Sequence, residues 1–133
     1  MNLSKEFKEQ VIQAAIKTYN QGQRCIAADR ITCLYSDGKG NRCAVGWMLS
    51  EETVREVGDF KGSVKGLNSK GYTNYTYEEL TLLSQLQETH DESKGDNFQK
   101  EFLFRLEFRL PWVYEALIKH IGEQDNETIS SKS

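Results

Sequence analysis

The chain has 133 residues, 38% of them hydrophobic and 28% charged, with a net charge of −3. Its length reads as one domain, and its six Phe, six Tyr and two Trp exclude a disordered polypeptide. The balance of charge lacks the basic footprint of a generic nucleic-acid binder, and three cysteines, an odd number, argue against a disulfide framework.

The first element is an amphipathic helix over about 4–20. Ser4 suits its N-cap, Phe7, Val11, Ile12, Ala15, Ile16 and Tyr19 recur at helical spacing, and Asn20-Gln-Gly22 ends it. A connector follows, Gln23 to Arg30, with Cys25-Ile26-Ala27-Ala28 at its centre. Ile31, Cys33 and Tyr35 then alternate as on one face of a strand. Asp37-Gly38-Lys39-Gly40 offers glycines for a tight turn, and Cys43-Ala-Val-Gly46 returns. A β-hairpin over about 31–46 is expected. A two-residue loop would set Cys33 opposite Arg42, and a three-residue loop would set it opposite Cys43.

Ala44 to Met48 reads as a short buried helix. Ser50-Glu51-Glu52 caps another that runs to about Val57 and stops at Gly58. A glycine- and lysine-rich loop continues to Gly71, with one possible turn at Ser63–Leu67. Thr76-Tyr-Glu-Glu79 is a capping box that opens a helix through Leu83, Leu86, Gln87 and His90. Residues 98–110 fit a strand by the alternation of Phe102, Phe104, Leu106 and Phe108. They fit a helix by the alignment of Phe98, Phe102 and Leu106, and the helix is preferred because Asp96 can cap it. Pro111 suits the first turn of a last helix whose stripe is Val113, Leu117, Ile118 and Ile121, ending at Gly122. The expected fold is thus α+β: a mostly helical domain over 1–122 with a central hairpin packed by helices, and a polar tail over 123–133 expected to be disordered.

Several residues could carry chemistry. Cys33, Cys43 and His90, with Cys25 or His120, could hold a metal, but the close cysteine pairs of zinc sites are missing. Cys43, His90 and Asp91 could be nucleophile, base and orienter of a small thiol enzyme or hydrolase, although no elbow motif presents the sulfur. Neither set outweighs an ordinary packing role, so no catalytic residue, metal or cofactor is expected. For binding, Tyr35, Lys39 and Arg42 near the turn, and Arg105 and Arg109 among phenylalanines, suit a ligand with rings and phosphates.

The pieces Cys33-Leu-Tyr35, Asp37-Gly38, Cys43-Ala-Val-Gly46, Ser50-Glu51-Glu52, Lys61-Gly62-Ser63-Val64 and Leu83-Ser-Gln-Leu-Gln87-Glu-Thr-His90-Asp91 resemble, in that order, short and mostly uncharacterised accessory proteins of tailed bacteriophages and prophages. On the hairpin and the end of the middle helix, the motif residues are Cys33, Gly38, Gly40, Cys43, Gly46, His90 and Asp91. The resemblance implies a phage accessory protein and not a known reaction. The combined expectation is a non-enzymatic counter-defence binder, an oligomeric sponge for a nucleotide-type immune signal. An alternative is an inhibitor that docks a host nuclease or defence protein through the tyrosines of Tyr72–Tyr77. The Phe-rich 98–110 segment favours a homo-oligomer. No apolar run approaches the ~20 residues of a membrane span. Met1–Phe7 lacks the core of a signal peptide, so the expected location is the cytoplasm.

Overall fold

Local capping chemistry sets most of the helix boundaries. A computed structural model describes residues 3–26 and 33–132, with side chains through Gln124. Helix α1 spans Lys5–Gln21: the Ser4 hydroxyl accepts the Phe7 amide at 3.0 Å, and Gly22 closes it with a left-handed φ of 75°. A 3-10 turn, Val45–Met48, leads to α2, Glu51–Val57, capped by Ser50. Ser63 caps α3, Val64–Ser69. Thr76 and Glu79 form the expected reciprocal box at the start of α4, Tyr77–Glu92. Helix α5 is Phe98–Arg109, so the ambiguous segment is helical, and Asn97 rather than Asp96 caps it by accepting the Lys100 amide at 3.1 Å. Helix α6 starts at Pro111 and continues past Gly122 to Lys132.

Helix α1 packs on α6, on the 3-10 turn and on α4, while α5 bridges α4 and α6 and α3 leans on α4. The shared core joins Val11 and Ala15 of α1, Leu83 and Leu86 of α4, Phe102 and Leu106 of α5, and Val113 and Leu117 of α6, all fully buried. Ile118, expected in the stripe of α6, is instead 40% exposed.

The expected α+β fold with a central hairpin over 31–46 is not what forms. Among the described residues there are six α-helices and one 3-10 turn, and no β-strand or sheet. Ile31 and Thr32, which begin the expected hairpin, and Ala27 and Ala28 of the connector lie outside the described residues. The rest of the segment makes two isolated antiparallel bridges, Ile26 with Cys33 and Ser36 with Arg42. The second bridge leaves a five-residue loop, Asp37–Asn41, so neither expected register is adopted and Cys33 faces Ile26.

The physical reason is competition for backbone groups. The Asp37 carboxylate accepts the amides of Lys39 at 2.8 Å and Asn41 at 3.1 Å, and also the Asn41 side chain at 2.8 Å. Gln21, at the end of α1, donates to the Arg42 carbonyl at 2.9 Å and accepts its amide at 2.8 Å. His90 of α4 accepts the Cys25 amide at 3.1 Å. Asp37 and Gln21 thus take backbone groups within the expected hairpin, while His90 holds the connector that precedes it. Gly38 and Gly40 do adopt positive φ, 73° and 100°, as the tip requires. Gly46 is needed for closeness: a Cβ there would lie 2.1 Å from the Tyr35 carbonyl oxygen.

Candidate functional site

The C-terminal half of α4 carries the one cluster among the described residues where thiol, imidazole and carboxylate converge. Ligating atoms of Cys33, His90 and Asp91 all lie within 4.8 Å of one another. His90 is fully buried, as its place on the Leu83–Leu86 face predicts, and its ring meets Phe98 edge-on at 6.0 Å. Because the Cys25 amide can only donate, His90 Nε2 must accept, which puts the ring proton on Nδ1. Nδ1 then donates to Asp91 Oδ1 at 2.7 Å. Gln87, one turn earlier, donates to the same oxygen at 2.9 Å, and its own Oε1 accepts the Val45 amide at 3.1 Å. Two backbone amides therefore fix two side chains, and both fix one carboxylate oxygen.

Cys33 stands on the open side of Asp91. Burial, the Asp91 charge and a hydrogen bond to that carboxylate push its thiol up to about 11, against a smaller opposing effect of Arg24. Cys43, expected beside His90 as a nucleophile, is fully buried and outside the cluster. Its sulfur accepts the Gly46 amide at 3.2 Å, and burial pushes its thiol up strongly. Both nitrogens of His90 are engaged, Nε2 by the Cys25 amide and Nδ1 by Asp91, so His90 is not placed to take a proton from a thiol. The cluster suits a metal poorly as well. An ion on Nδ1 would move the ring proton to Nε2, where it would meet the Cys25 amide, donor against donor.

A cavity of about 270 Å³ opens over the cluster, lined by Cys33, Leu34, Tyr35, Lys61, Gly62, Ser63, Gln87 and Asp91. The Tyr35 hydroxyl donates to the Gly62 carbonyl at 2.9 Å and its ring stacks on Phe60 at 6.3 Å, so it serves as a wall. The Asp91 side chain is 37% exposed.

Of the five residues expected to bind a ligand, Tyr35 lines this cavity, and Lys39, Arg42, Arg105 and Arg109 do not. Arg42 reaches the carbonyls of Leu49 at 3.2 Å and Gly46 at 3.4 Å, pairs with Glu51, and lies over the Trp47 ring at 5.2 Å. Arg105 pairs with Glu101 one turn earlier on α5 at 3.0 Å, and Arg109 pairs with Glu92 of α4. Residue-type reasoning left out Gln87, Lys61 and Ser63. The signal for Gln87 was its spacing of four from Asp91 on one helix face. No helix of the described residues is long and apolar enough to cross a membrane. Compared with known proteins, the chain matches no family model, no curated protein and no solved structure.

Proposed function

We propose that this chain is a non-enzymatic phage accessory protein that acts in the host cytoplasm by sequestering a nucleotide-type small molecule in the Asp91 cavity. The observation that carries this reading is the wiring of the cluster. His90 and Gln87 each donate to Asp91 Oδ1, which makes the carboxylate a fixed acceptor. A base edge rich in N–H donors suits Asp91, and a phosphate suits Lys61 and Ser63, which line the same cavity. At about 270 Å³ the cavity takes one base-sized part of such a ligand, with the remainder along its open side.

The test is native mass spectrometry of the full chain with and without a bacterial nucleotide extract. The expected result is a nucleotide-sized mass gain that Asp91→Asn and Lys61→Ala each abolish while circular dichroism is unchanged. Absence of a gain with the unaltered chain, or consumption of the ligand, overturns the proposal. A second reading, occupation of a host defence protein, draws support from Tyr77, which is 74% exposed. Its neighbours Tyr72 and Tyr75 pack on the core. Pull-down from host lysate with Tyr77→Ser as the control decides that reading.

A further inference from the structure

Helix α5 has two apolar faces, and only one is used within the chain. Phe98, Phe102 and Leu106 enter the core, whereas Phe104 and Phe108, four residues apart, are 73% and 87% exposed. Lys100 and Glu107 are exposed on the same stripe. Lys100 makes no ion pair among the described residues. Glu107 makes no ion pair among the described residues either.

We infer that this face pairs with the same face of a second copy, the two α5 helices lying antiparallel about a twofold axis between Leu103 and Phe104. The charge pattern chooses both the occupant and the direction. Lys100 and Glu107 are seven residues apart, about 10.5 Å along the helix, and equally far from that axis. In the antiparallel pair each Lys100 therefore stands level with Glu107 of the second copy, giving two symmetric ion pairs. A parallel pair would set lysine against lysine and glutamate against glutamate. The antiparallel arrangement also brings the two Phe104 rings together at the axis. Each Phe108 then lies about 1.5 Å along the axis from the level of Lys100 of the second copy, against its stem and under its ammonium. The exposed parts of the two rings amount to roughly 300 Å² per copy. A stable interface needs about 800 Å² per partner. The pair is accordingly reversible and set by concentration.

This inference is independent of the Asp91 cavity, and its test is sedimentation velocity of the full chain over a dilution series. The unaltered chain moves from monomer to dimer as concentration rises. Lys100→Glu and Glu107→Lys are each monomeric alone, because each sets like charges face to face. Mixed in equal amounts, the two variants pair with one another, and Phe108→Ser abolishes pairing throughout. All three positions are exposed, so circular dichroism stays unchanged. A chain that is monomeric at every concentration overturns the inference, as does an oligomer indifferent to both charge reversals. Capture of a different protein through Phe104 and Phe108 by a monomeric chain also overturns it.

Discussion

His90→Leu tests the wiring of the cluster most directly. Leucine is close to histidine in volume, so the cost is one of lost hydrogen bonds rather than of a cavity. The Cys25 amide, on a fully buried residue, loses its acceptor at 3.1 Å. An orphaned buried donor costs about 1–3 kcal/mol. The donation to Asp91 at 2.7 Å is also lost, and a hydrogen bond to a charged group contributes about 1.5–3 kcal/mol. Asp91 keeps Gln87 and some solvent, so the lower end applies. Together the substitution should destabilise the fold by about 3 kcal/mol. With a urea slope of about 1.5 kcal/mol per molar, the midpoint falls by about 2 M at an unchanged slope. The assay is urea unfolding followed by far-ultraviolet circular dichroism and tryptophan fluorescence. His120→Leu, at a half-buried position on α6, is the control and should move stability by under about 0.5 kcal/mol. A loss below about 1 kcal/mol for His90→Leu would refute the reasoning, since neither bond would then be made in solution.

Three further outcomes follow from the segment that α4 braces. Gly46→Ala, with a Cβ 2.1 Å from a backbone oxygen, should cost about 1–3 kcal/mol or more and lower the thermal midpoint; a neutral result would mean that the Tyr35–Gly46 contact is open. Gln21→Ala removes both bonds to Arg42 and should destabilise by about 1–2 kcal/mol, with amide exchange of Arg42 accelerating more than that of α1. The Cys33 thiol, raised from 9.0 to about 11, should be alkylated at pH 8 about a hundredfold more slowly than an unperturbed thiol, its rate climbing tenfold per pH unit toward 11. The sign for stability follows from the same shift. The folded chain holds this proton more tightly than the unfolded one, so the contribution is complete below about pH 9 and is lost as pH rises through 11. Alkylation of Cys33 at an ordinary rate would remove its contact with Asp91 from the picture.

The helices were legible because their signals are local. Ser4, Ser50 and the Thr76–Glu79 box act within one turn of their own positions, and Gly22 and Gly58 act at the next residue, whereas the short helix that Ser63 caps lies where a loop with one turn is expected. The strand-like alternation of 98–110 arose because Phe102 and Leu106 point inward while Phe104 and Phe108 point outward on the same helix. The hairpin was misread for a different reason. Alternation and a glycine turn describe what the segment could do alone. What it does depends on Gln21 and His90, which are 21 and 65 residues from the backbone groups they take. The His90-Asp91 adjacency was visible in the sequence. Its role was not, because the choice of tautomer waits on the Cys25 amide, and the thiol beside Asp91 is Cys33 rather than Cys43.

That dependence also ties the proposed site to the stability of the fold. Gln87 holds Val45 and His90 holds Cys25, so the last turns of α4 clamp both ends of the 25–45 segment. Asp91 lies where the two clamps meet. A ligand that engages Asp91 therefore engages the element that fixes the segment, and it binds the folded chain alone. At a hundred times its dissociation constant, such a ligand adds about 2.7 kcal/mol to stability. This is close to the cost assigned to His90→Leu, so a saturating ligand should restore most of the midpoint lost in that variant. The affinity of the variant should fall at the same time, because its carboxylate is held by Gln87 only. Thermal unfolding with increasing nucleotide extract reads both effects. If the variant regains its midpoint with undiminished affinity, His90 contributes to the fold and nothing to the site. If neither protein responds to the extract, the carboxylate is a structural acceptor and the binding function lies elsewhere on the chain.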